Sequence, residues 1–290
     1  VQNPDGTPYQ DFVCFDPAVM NDNGTIRLYF GTGPFRGMGV KPWNGFVLSK
    51  VYSGVFEKPP KAFRQKPGPL GANAAVLCED MLTLKEPPKR IADTPDFKGH
   101  GFFEGSSIRK IGQTYYFVYS SQKNHELCYA TSPYPDRDFR FRGTLVSNGD
   151  VGYGGRKERQ RCNATGTVHG GIEEIAGKWY VFYHRLTHGS DYSRQMCAEP
   201  LELLPDGSIA QVEMTSCGLQ GGDLPGTGEY PAAICCNLTN GKMPHIANQI
   251  RKNVPAITHS DAEWYVGNAA KGTQIGYKYF SIQDNTILRV

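Results

Sequence analysis

Three polar residues each stand eight positions ahead of a glycine turn that leads into an aromatic strand: Asp16 before Gly24 and IRLYF, Glu104 before Gly112 and TYYFVYSS, and His169 before Gly177 and KWYVFYHR. Glu104, in GFFEGSS, is a carboxyl group in an apolar, aromatic setting. Partial burial disfavours the ionised form of such a group, so it can hold a proton near neutral pH and pass it to a leaving group. A lone Glu at a strand edge is usually solvated surface, and it is the recurring offset that argues for more. Arg194, near the start of SRQMCAEP, can donate paired hydrogen bonds to vicinal hydroxyls or to a carboxylate, or make an ordinary salt bridge between neighbouring elements.

The elements that must position these groups are β-hairpins. Asn23-Gly24 turns the first, with its second strand over Ile26 to Phe30, and Gly112-Gln113 turns the second, ahead of the strand from Tyr115 to Tyr119. Gly177 turns the third, ahead of Trp179 to Tyr183. A repeated hairpin with a polar residue at fixed offset suits an all-β propeller, whose innermost strands line a central channel where equivalent positions of different blades converge. The spacings of 88 and 65 residues between the three polar groups exceed a blade of about 40 to 50 residues, so insertions are expected, one of them from Gly33 to Lys98. HELCYATSPYPDRDFRFRGTLVSN reads as two further strands of the Glu104 blade around a Pro-Asp turn, and SRQMCAEPLELLPDGSIAQVEM as the start of a fourth unit turning at Pro205-Asp206-Gly207. Past Gly218 a Gly/Pro linker, LQGGDLPGTGEY, leads to a second strand-rich segment.

Composition narrows the function classes. Lys plus Arg total 31 against 28 Asp plus Glu, a net charge of +3 with no long basic run, which argues against nucleic acid and acidic membranes as partners. No apolar stretch approaches the length of a spanning helix. The eight cysteines form no CxxC pair and lie mostly in strand-like apolar runs, so they read as buried thiols rather than a disulfide framework. No cluster of Asp, Asn and Glu has calcium-loop spacing.

FDPAVMNDNGTIRLYFGT, FFEGSSIRKIGQTYYFVYSSQKNHELCYATS and VHGGIEEIAGKWYVFYHR with the following YSRQMCAEPL and DGSIAQVEMT together resemble the family 43 glycoside hydrolases, over about residues 12 to 220. The tail from YPAAICCNLT to GYKYFSI is similar to the start of the β-sandwich of family 6 carbohydrate-binding modules. The resemblance implies a five-bladed propeller with about four blades present over residues 1–225, incomplete at its N-terminus, and an incomplete sandwich module over 226–290. It implies an inverting hydrolase that removes terminal xylose or arabinofuranose from xylan, arabinoxylan or arabinan, or from their oligosaccharides, with a non-catalytic sugar-binding propeller as the alternative. It assigns Glu104 as the general acid and Asp16 as the carboxylate that tunes it, with Asp16 as the base itself the less favoured assignment. His169, Arg194 and Phe103 become substrate-binding residues, His169 near a channel ion in some members. No cofactor is required, and there is room for a structural Ca²⁺. The family's base sits on a blade before the tuning Asp, so the chain by itself is expected to be a fragment without activity.

Overall fold

The computed structural model describes residues 1–34, 45–92, 95–245 and 254–283. The chain divides into two units, one of residues 1–123 with 128–143 and the other of 124–127 with 144–290.

In the first unit, β1 (Ala18–Asp22) and β2 (Thr25–Phe30) pair antiparallel across Asn23-Gly24, both left-handed at φ +52° and +88°. That is the two-residue turn whose twist matches a hairpin, and Asn21 Oδ1 braces it by accepting from the Gly24 amide at 2.7 Å. β3 (Asn73–Leu77) and β4 (Lys89–Arg90) complete a four-stranded sheet in the order β1-β2-β3-β4. Part of the expected insertion is therefore blade, because NAAVL is a short apolar run that β2 can pair with and bury on both faces. A helix, α1 (Gly45–Phe56), lies between β2 and β3 in sequence.

A second sheet follows in the order β5 (Phe102–Ile111), β6 (Thr114–Ser121), β7 (Glu126–Ser132) and β8 (Arg140–Ser147). The expected Gly112-Gln113 turn joins β5 to β6, and both strands around Pro135-Asp136 are present. β6 is buried along nearly its whole length because aromatic side chains leave it on both faces. Phe117, fully buried, has ring centroids of Tyr29, Phe102, Tyr119 and Phe139 within 5.6 to 6.3 Å. Tyr29 comes from the first sheet, so one aromatic core joins the two sheets of this unit. A polar tie runs beside it: Asp22 accepts from Tyr115 Oη at 2.8 Å, Arg27 Nε at 3.1 Å and Lys110 Nζ at 3.1 Å. Burial acts to raise the Asp22 carboxyl, and these three donors outweigh it and hold the group below its usual range.

The second unit carries β9 (Gly170–Ile175), β10 (Lys178–Thr187) and β11 (Ser190–Pro200) in the sheet order β11-β10-β9. One expectation is corrected here. SRQMCAEP does not open a fourth unit: it is the third strand of the sheet that begins after His169, because the two-residue turn His188-Gly189 folds β11 straight back onto β10. The Pro205-Asp206-Gly207 turn exists and closes a bridge between Leu203 and Ile209. Short ribbons follow, β12 (Leu224–Pro225) with β17 (Phe280–Ser281), β13 (Asn237–Thr239) with β16 (Gln274–Gly276), and β14 (Ala256–His259) with β15 (Trp264–Gly267). β13 and β14 contribute Leu238 and Ile257 to a small cluster with Ala233 and Cys235, against which Val266 of β15 packs. All eight cysteines are free thiols, with Cys128, Cys162, Cys235 and Cys236 buried.

Candidate active site

In the first unit, Glu104 sits where β5 is irregular. Phe102 faces Ser121, Glu104 faces Ser120 and Ser107 faces Val118, with register shifts on both sides of Glu104. Such irregularities re-aim a side chain without breaking the strand, and Glu104 is left 8 % exposed. The chain leaving β2 holds this segment from outside. The Gly33 amide donates to the Phe103 carbonyl at 2.5 Å, and a Cβ at Gly33 would lie 2.0 Å from the Phe102 carbonyl oxygen, so only glycine permits the approach. Phe103 itself is buried beside the acid.

Asp16 immediately precedes Pro17 and β1, with φ at +42°. A left-handed residue ahead of proline is strained, and strain of this kind concentrates at functional positions. One carboxylate oxygen of Asp16 lies within 4.8 Å of one of Glu104. Two acids from the starts of two different sheets are thus brought together, as their common offset from the turns anticipates.

His169 stands just before β9, and its ring centroid is 5.7 Å from that of His184 on β10, edge to face. Arg194 lies on β11 opposite Leu186, one step along the same sheet face from His184. Both ring nitrogens of His184 are buried and make no hydrogen bond among the described residues. Burial, then the positive charges of Arg194 and His169, push its pKa down to about 3. His184 is therefore a neutral imidazole with one donor and one acceptor. In sequence His184 is one more member of the strand WYVFYHR; its signal is alternation, since it shares a face with Phe182 and follows the partner of Gly170 in register.

Behind this face, Glu199 of β11 is 2 % exposed and accepts from the Thr215 amide at 2.7 Å, with Thr215 Oγ1 at 2.6 Å and Tyr183 Oη at 3.1 Å. Burial pushes its carboxyl up to about 7 against the pull of those bonds. A raised folded value means the protonated form stabilises the fold. That contribution is complete below the ordinary value of 4.5 and is lost as pH rises through about 7. Across this window the wild type should lose on the order of 3 kcal/mol relative to Glu199→Gln. Thermal unfolding of both from pH 4.5 to 7.5 reads the difference; parallel Tm profiles would contradict it.

Comparison with known proteins gives the context of these groups. No family model matches the chain. A "Xylosidase/arabinosidase" from Thermoclostridium stercorarium is 43 % identical over 286 residues, covering 93 % of this chain and 54 % of the relative. A "Beta-xylosidase" from Xylanibacter ruminicola is 29 % identical over 224 residues, 72 % of this chain and 61 % of the relative. The chain thus spans between about half and two thirds of the length of these curated relatives. Among solved structures, a family 43 β-xylosidase/α-arabinofuranosidase from a compost microbial metagenome, in complex with xylotriose and in a calcium-free form, superposes with a TM-score of 0.50 at 27 % identity, over 71 % of this chain and 60 % of that one. The sheets of antiparallel strands are those of the β-propeller glycosidases that this chain is similar to. The chain belongs to family 43 of the glycoside hydrolases.

Proposed function

We propose that the chain carries the acid side of a glycoside hydrolase site that releases terminal xylose or arabinofuranose from xylan, arabinoxylan or arabinan. The observation that carries the reading is the buried Glu104 with an Asp16 oxygen within 4.8 Å, in a chain of this family. Glu104 is the general acid: its proton goes to the glycosidic oxygen as the bond to the anomeric carbon breaks. Asp16 orients and tunes that acid. His169, the neutral His184 and Arg194 bind sugar hydroxyls, Arg194 through paired donors. Water is the second reactant, and the chemistry calls for no organic cofactor; the calcium-free neighbour holds xylotriose without that ion. The division into a catalytic part over 1–225 and a sugar-binding module from 226 is part of the same proposal.

The competing reading is a propeller that binds sugar without cleaving it. Release of nitrophenol from 4-nitrophenyl β-D-xylopyranoside or α-L-arabinofuranoside, by the enzyme carrying this chain, separates the two. Turnover is expected on at least one substrate, and binding of xylo-oligosaccharide without turnover of either would favour the competitor.

A further inference from the structure

The β10–β11 turn places together a second pair of histidines, neither of them assigned a role above. His188 and Gly189 form it at φ +54° and +62°. A left-handed backbone is uncommon for a residue other than glycine, and here it seats His188 on β14. The His188 amide donates to the Ile257 carbonyl at 2.8 Å, and its Nδ1 lies 2.9 Å from Thr258 Oγ1. His259, the last residue of β14, is exposed, and its ring centroid is 4.6 Å from that of His188 with the planes at 87°.

The hydrogen bonds set which nitrogens remain available. His259 Nδ1 is 3.2 Å from the Ser260 carbonyl oxygen, which can only accept. Nδ1 therefore carries the proton, and in the neutral ring Nε2 keeps its lone pair. His188 is likewise anchored through Nδ1. Histidines that ligate metals are held in this way, one nitrogen fixed by a carbonyl, carboxylate or hydroxyl and the other turned to the ion. Two imidazoles bound cis to one ion through bonds of about 2.0–2.1 Å bring their ring centroids to roughly 4.5–5.3 Å, and the observed separation falls in that interval.

We propose that His188 and His259 form a two-imidazole chelate for a divalent d-block cation of borderline softness, Zn²⁺ or Ni²⁺, with water completing the coordination. Thr258 is its positioning residue. The bound ion clips the β10–β11 turn to β14 within the second unit, and it takes no part in the sugar chemistry.

Trp264 supplies a built-in reporter. It faces His259 in the β14–β15 register, and its ring lies 5.0 Å from His259 and 5.5 Å from His188. Ni²⁺ alone, titrated into the protein, should quench tryptophan fluorescence saturably, and Zn²⁺ should compete the quenching away. Trp264→Phe should remove most of the quenched signal. His188→Asn, which suits a left-handed turn, and His259→Gln, at an exposed strand end, should each weaken Ni²⁺ at least about tenfold, and Thr258→Val by a smaller factor. Far-UV circular dichroism confirms that each variant is folded; should His188→Asn unfold, His259→Gln decides. Absence of saturable quenching in the wild type, or unchanged Ni²⁺ affinity in a folded histidine variant, overturns the proposal.

Discussion

Glu104→Ala should cut turnover of xylo-oligosaccharides by about 10²- to 10⁴-fold, the usual worth of a positioned acid, while an aryl glycoside with a good leaving group loses far less. The reason is where the proton is needed. A sugar alkoxide leaves poorly unless its oxygen is protonated as the bond breaks, whereas a nitrophenolate leaves without help. The irregularity of β5 and the close approach of Gly33 fix Glu104 in a buried position, as the proposed acid role requires. Steady-state kinetics on both substrates, in the enzyme carrying this chain, make the comparison. Equal losses on both would remove Glu104 from the role of acid and leave it a structural carboxylate.

Phe117→Ala should cost about 3–5 kcal/mol of stability, the range for deleting a fully buried aromatic ring. The ring is enclosed by Tyr29, Phe102 and Tyr119 on strands of both sheets of the first unit, and by Phe139 just before β8, in packing too tight to collapse into the void. Phe102 is two residues from Glu104 on β5, so the lost support also reaches the acid. Denaturant unfolding followed by the near-ultraviolet signal of the aromatic core measures the loss. A change below about 1 kcal/mol would mean that the two sheets are not joined through this ring.

Much of this arrangement is legible before any coordinates. Asn23-Gly24 and Gly112-Gln113 are turn signatures with a mechanism, since each needs the left-handed backbone that glycine and asparagine adopt most readily. The polar residue eight positions before each turn then falls at the start of a sheet's first strand, and that is how Asp16 and Glu104 could be paired across 88 residues of sequence. Other features lack such a local signal. β3 and β4 hide in a stretch rich in glycine and proline because their strand character comes from pairing with β2 rather than from their own pattern. α1 reads poorly as a helix because GFVLSKVYSGVF carries glycine and β-branched residues, which disfavour helix formation in isolation. His188-Gly189 is a weaker turn signal than Asn-Gly, so β11 and Arg194 were displaced into a unit of their own. His184 was missed because an imidazole within an aromatic strand is indistinguishable from packing until its buried, unbonded nitrogens are seen.

The spacing of the two acids poses the sharpest question about mechanism. Inverting glycosidases hold acid and base roughly 6.5–9.5 Å apart to admit water, whereas retaining enzymes hold acid and nucleophile at about 5–5.5 Å. Oxygens of Asp16 and Glu104 lie within 4.8 Å, too close to be the water-spanning pair. On the proposed function Asp16 tunes the acid of an inverting site; in a retaining site it would have to be the nucleophile. The anomer first released from a β-xyloside, followed by proton NMR before mutarotation, distinguishes them. Appearance of α-xylose first is the expected result, with Asp16 tuning the acid and water attacking from the opposite face. Appearance of β-xylose first would contradict it and make Asp16 the residue that bonds to the sugar.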